Sequence, residues 1–140
     1  MKNLLLILTL LLSFSFYAQS IEHVGVYKFD LGEDSHFEKT TLTLNADGTF
    51  LFHFYDYREK GMPKERNKYG KGTWILKGKL ILFSSSEEDV DDAYVLNFNN
   101  SKARFDTKSP RDKSDSVKKT SIRFYESDIF WIVGRTMIKN

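Results

Sequence analysis

Residues 40–54 read TTLTLNADGTFLFHF, two alternating arms that meet in Asn45-Ala46-Asp47-Gly48. Such a junction suits a type I turn closed by a glycine bulge, with Ala46, Asp47 and Gly48 as a three-residue hairpin loop. The turn then dictates the pairing: Leu44 opposite Phe50, Leu42 opposite Phe52, Thr43 opposite Leu51 and Thr41 opposite His53. One face becomes wholly apolar and the other mixed. A two-residue loop would set Leu44 against Leu51 and Thr43 against Phe52, and a one-residue slip sends every side chain to the wrong face.

Period-two alternation recurs on both sides of this hairpin, in short runs rich in aromatic and β-branched residues. Residues 70–83, GKGTWILKGKLILF, read as a second hairpin with Gly78 in the bulge position, which pairs Trp74 with Leu80 and Gly72 with Leu82; a tighter turn through Lys77-Gly78 is the alternative. GVYKFDL (25–31), YVLNF (94–98), a short run near Ala103 to Asp106, SIRFY (121–125) and IFWIV (129–133) complete eight or nine antiparallel strands. Long polar connections are expected from Arg58 to Tyr69, Ser84 to Asp92 and Thr107 to Ser116. The fold class is all-β, an antiparallel up-and-down meander of about eight strands that closes into a barrel or a half-open sandwich and so manages its edges.

The motifs L-x-L-x-x-D-G-T-F at Leu42 to Phe50 and G-x-W-x-x-x-G-x-L-x-L at Gly72 to Leu82 resemble those of small exported bacterial lipocalin-like proteins. The resemblance implies a lipocalin-like barrel. Gly72-Thr73-Trp74 matches the lipocalin G-x-W signature in its residues but stands mid-chain, whereas that signature belongs on the first strand. Related barrel lipoproteins of the copper-resistance and envelope-stress type carry a lipidated Cys and a Cys pair; this chain has no cysteine, so their role does not carry over.

The first twenty residues, MKNLLLILTLLLSFSFYAQS, have one positive charge at Lys2, an apolar run from Leu4 to Leu12 and small residues at the exit, the pattern of a secretory signal peptide. Cleavage after Ser20 or after Ala18 fits. A membrane-spanning helix needs about twenty apolar residues, more than this run supplies. The expected product is a soluble exported domain over residues 21–140, periplasmic or extracellular, without a membrane span. Losing Lys2 lowers the formal charge from +2 to +1, far from the basic excess of a nucleic-acid-binding domain. The absence of cysteine removes thiol nucleophiles and zinc-thiolate sites and leaves packing alone to hold an exported fold.

With the apolar faces inward, Tyr27, Phe29, Leu42, Leu44, Phe50, Phe52, Phe54, Trp74, Leu80, Leu82, Tyr94, Leu96 and Phe98 line the interior. A barrel of about eight strands either fills with these side chains or holds one small ligand. In the second case Tyr27, Phe52, Trp74 and Tyr94 are the candidate contacts to an apolar ligand, Tyr and Trp offering a polar handle. In the first, the basic stretch 58–71, with Arg58, Lys64, Arg66 and Lys68 flanked by tyrosines, is the candidate surface for an anionic envelope component. SSSEEDVDD (84–92) offers five carboxylates without the spacing of an EF-hand loop, and His23, His36 and His53 are too scattered to share a metal, so no metal or cofactor is expected. No G-x-S-x-G, H-E-x-x-H or phosphate-loop pattern occurs. The reading is a noncatalytic exported binding protein, holding a small apolar ligand inside the barrel or recognising an anionic macromolecule through 58–71.

Overall fold

The computed structural model describes residues 21–140, so the signal peptide expected at 1–20 and its expected cleavage site lie outside the described residues. Eight antiparallel strands follow one another as a meander: β1 (Gly25–Glu33), β2 (His36–Leu44), β3 (Thr49–Arg58), β4 (Glu65–Lys77), β5 (Leu80–Ser84), β6 (Ser101–Asp106), β7 (Ser121–Glu126) and β8 (Thr136–Lys139). The sheet closes where β8 returns to β1 through Tyr27↔Lys139 and Lys28↔Ile138, so the architecture is a closed barrel and not a half-open sandwich. An eight-stranded antiparallel barrel of this kind is consistent with the lipocalin-like fold. Among the described residues no helix is long and apolar enough to cross a membrane.

The β2–β3 hairpin has the expected register, Leu44↔Phe50 and Leu42↔Phe52. Gly48 takes the left-handed conformation at φ 84°, and Asp47 accepts hydrogen bonds from the Thr49 backbone and hydroxyl at 2.9 and 2.6 Å. The Trp74 backbone and indole N–H groups donate to Gly48 O and Asn45 O at 2.8 and 3.1 Å, which pins this turn to β4.

The second hairpin departs from expectation. Gly78 and Lys79 form a two-residue loop, with Gly78 at φ 65° in the first central position that a type II′ turn gives to glycine. Trp74 therefore pairs with Phe83, and Ile81 and Phe83 point into the core where Leu80 and Leu82 were expected. The tighter loop is favoured because it seats the larger Phe83 ring against Phe50, at 5.1 Å between centroids.

Three further expectations fail. Residues 94–98 do not pair as a strand; they make a single parallel bridge, Gly70↔Leu96, within the long connection between β5 and β6. IFWIV is a 3-10 segment at Phe130–Ile132 that runs into a turn, because Ile132 and Trp131 pack inward together instead of alternating. The basic stretch 58–71 is mostly strand, β4 beginning at Glu65, so only residues 59–64 connect β3 to β4.

The interior is filled. Phe98 reaches in from the 94–98 segment and meets Phe50, Phe52, Phe83 and Phe124 at centroid separations of 5.0, 4.9, 6.0 and 6.3 Å. Tilted and edge-on ring pairs at such distances stabilise beyond the area they bury. Leu42, Leu44, Ala103, Ile122, Ile132 and Met137 close the remaining space and are buried.

Candidate functional site

The strands differ in length, and that difference makes the site. β1 to β4 run 9, 9, 10 and 13 residues, whereas β5 to β8 run only 5, 6, 6 and 4. The pairing of β4 with β5 begins at Thr73 and that of β1 with β8 ends at Lys28, so one end of the long strands overhangs the short ones. Period-two alternation carries the inward face of the overhang from apolar to charged. On β2 it runs Leu44, Leu42, Thr40, Glu38, His36; on β3 Phe50, Phe52, Phe54, Asp56, Arg58; on β4 Trp74, Gly72, Gly70, Lys68, Arg66. Register sets Glu38 beside Asp56, Asp56 beside Arg66, and His36 beside Arg58.

Asp56 is the organising group. Its carboxylate is 4% exposed and accepts from Arg58 Nε at 3.1 Å, while His36 Nε2 lies 3.1 Å away and Arg66 Nε 3.6 Å away. Both arginines face Asp56 through Nε, so their Nη nitrogens have no hydrogen-bond acceptor among the described residues. A buried carboxylate is stable only when paired and hydrogen-bonded. Its role here is to hold two guanidinium forks at the mouth.

Beneath lies a further cation, more enclosed than these two arginines. Arg135, with its side chain 15% exposed, donates to Glu38 at 2.8 Å, to the Trp131 carbonyl at 2.9 Å and to Thr40 Oγ1 at 3.3 Å. Its guanidinium is 5.0, 5.6 and 5.4 Å from the rings of Phe29, Phe54 and Trp131. Lys68 stands over the Trp131 ring at 5.7 Å and has no carboxylate partner among the described residues. The mouth thus sets four cations, Arg58, Arg66, Lys68 and Arg135, against two carboxylates, Glu38 and Asp56.

Two adjoining clefts share Arg58 and Arg66. The inner one, about 180 Å³, has Phe54 and Trp131 as its floor; the outer, about 610 Å³, is walled by Ser35, His36 and the 59–61 turn. His36, Glu38 and Asp56 have ligand atoms within 4.8 Å of one another, close enough to share a metal ion. Three guanidinium groups already engage those two carboxylates, however, and a dication there would meet them as like charges. The donor set favours an anion.

Of the residues singled out for an anionic partner, Arg58, Arg66 and Lys68 come together at the mouth, and Lys64 sits exposed in the adjoining turn. Those singled out for an apolar ligand do not converge on one cleft. Tyr27 is fully buried, its hydroxyl donating to His23 O at 2.7 Å, and burial pushes its phenol pKa upward. Phe52 packs on Phe98, and Trp74 is spent on the hairpin turn. Tyr94 lies outside the core ring cluster, 6.0 Å from Tyr69 and beneath Lys71 at 4.4 Å. In the 84–92 segment, Asp89 caps its own turn at Ser86, and Asp91 accepts from the Ala93 and Tyr94 backbone, which lowers its pKa.

Glu38, Asp56, Trp131 and Arg135 were not anticipated. For Asp56 the signal was available, since the even-numbered inward face of Phe50, Phe52 and Phe54 continues to it without a break. Trp131 lies within a 3-10 turn and Arg135 just beyond it, and neither carries a local pattern. Comparison of the chain with family models, with curated proteins and with solved structures finds no match.

Proposed function

We propose that this chain is an exported, noncatalytic binding protein whose barrel interior is structural and whose mouth takes the acidic groups of an anionic envelope component. One observation carries the reading: Arg58, Arg66 and Lys68 converge on the open inward face of the overhang with their charge only partly offset by Asp56. The packing of Phe98 among four other rings supports a mouth site over an apolar pocket, because a ligand among Tyr27, Phe52 and Trp74 would have to displace it. The secretory leader supports the compartment. Guanidinium forks favour carboxylate, phosphate or sulfate groups, and Trp131 offers an aromatic surface beside them.

The test is titration of the mature chain with lipopolysaccharide and with heparin as a defined polyanion, followed by tryptophan fluorescence. Binding is expected to weaken steeply with salt and to fall at least tenfold in the Arg58→Gln/Arg66→Gln/Lys68→Gln variant. A triple variant that binds both polyanions as the wild type does would rule the mouth out.

A further inference from the structure

A second basic feature lies away from the mouth, on the outer surface of the short strands. Ala103 and Phe105 on β6 and Ile122 and Phe124 on β7 are buried, so the residues between them, Arg104 and Arg123, point outward. These two arginines stand directly opposite each other across the antiparallel pair. Residues so placed have Cβ atoms about 5 Å apart, and like charges there are destabilising. Neighbouring charges in the same region are neutralised: Lys102 meets Glu126 at 3.0 Å and Lys118 meets Asp106 at 2.8 Å. Arg104 and Arg123 make no hydrogen bond or ion pair among the described residues.

The pair lines a cleft of about 650 Å³ with Ser121, Tyr125 and Thr136. Asp106 also lines it, but its carboxylate is already bound by Lys118, which holds its pKa below the ordinary value. Two guanidinium groups lining one cleft, neither paired with a carboxylate and both beside hydroxyl groups, suit a tetrahedral oxyanion that accepts several charge-assisted hydrogen bonds at once.

We propose that the Arg104–Arg123 cleft on the outer face of β6–β8 binds the phosphoryl group of a phosphate-bearing ligand. The bound phosphoryl relieves the repulsion between the two guanidinium groups, so ligand binding and barrel stability are coupled at this pair. The site shares no residue with the mouth and does not depend on it.

The experiment is thermal unfolding of the mature chain at low ionic strength, with inorganic phosphate compared against sodium chloride at matched ionic strength. Chloride reports screening alone. Phosphate is expected to raise Tm beyond chloride, with an apparent Kd at least tenfold weaker in Arg104→Gln and in Arg123→Gln, while the Arg66→Gln/Lys68→Gln mouth variant keeps the phosphate response. Each outer-face variant is also expected to have a higher Tm than the wild type in the absence of phosphate, which separates loss of the site from loss of the fold. Flotation with phosphatidylglycerol vesicles that is lost in Arg123→Gln assigns the phosphoryl group to a lipid headgroup; a phosphate response without flotation assigns it to a soluble phosphoester. Absence of both responses, or arginine variants that respond as the wild type does, would overturn the site.

Discussion

Phe98 packs over Gly70 so closely that a Cβ on Gly70 would overlap the edge of its ring. Gly70 leaves open space in the wall of the barrel, and Phe98 is the plug that uses it. Removing the plug, Phe98→Ala, is expected to cost about 3–5 kcal/mol, and filling the space, Gly70→Ala, about 1–3 kcal/mol. The two effects should not add: with the ring gone the new methyl group first meets Leu96 Cβ, at 3.2 Å, so the double variant should be more stable than the sum of the single losses implies. Urea unfolding of the four proteins measures this coupling.

The β4–β5 register separates two neighbouring residues. Ile81 is fully buried, whereas Leu82 faces outward and is only partly covered. Ile81→Ser should destabilise by about 2–4 kcal/mol and Leu82→Ser by about 1 kcal/mol or less. The reverse order in chemical denaturation would restore the bulged register with Leu82 inside.

Arg135 should not tolerate lysine. Its Nε, Nη1 and Nη2 serve three acceptors, Trp131 O, Thr40 Oγ1 and Glu38 Oε2, and one ammonium cannot span that fork. Arg135→Lys leaves Glu38 and the Trp131 carbonyl poorly satisfied, and a loss of about 1–3 kcal/mol is expected. Arg135→Met, which keeps apolar contact with Phe29, Phe54 and Trp131, should recover part of the loss when combined with Glu38→Gln.

Tyr27 sets an alkaline limit. Burial raises its phenol pKa above the ordinary value of 10.0, so the fold favours the neutral hydroxyl that donates to His23 O. A group whose folded pKa is raised contributes stability below its unfolded pKa and loses it as pH rises through the folded one. Melting temperature should therefore fall above about pH 10, and Tyr27→Phe, though less stable at neutral pH, should show a shallower decline. Equal alkaline slopes for the two proteins would remove Tyr27 as the cause.

The local patterns that were readable belong to residues whose neighbours in sequence are also neighbours in space. Asn45 to Thr49 specify a turn, the turn specifies Leu42↔Phe52, and alternation carries the register along β2 and β3. At Gly78 the same logic divides, because a glycine serves both a bulged and a II′ loop; what selects between them is Phe83 against Phe50, a contact between separate hairpins. YVLNF alternates as a strand does, yet its Phe98 is drawn inside by rings from β3, β5 and β7. The mouth was half legible: Arg58, Arg66 and Lys68 stand out as charge, but the polar, non-alternating sequence of 58–69 hides that they share a face with Asp56. Arg135 joins them from a position 97 residues beyond Glu38 and leaves no trace in local spacing.

The barrel's seam has a consequence for how the chain reaches this state. Seven of its eight strand pairings join consecutive strands, but β8 meets β1 at only two paired positions, and Lys139 Nζ reaches Glu22 O across 117 positions of sequence. The entropy of closing a loop grows with its length, and folding slows as contacts become less local, so the seam is the costliest of the eight pairings to close. Until it closes, β1 presents an unpaired edge able to recruit a strand from another molecule. The four residues of β8, Thr136–Lys139, thus cover the edge at which β1 would otherwise accept a strand from a second molecule.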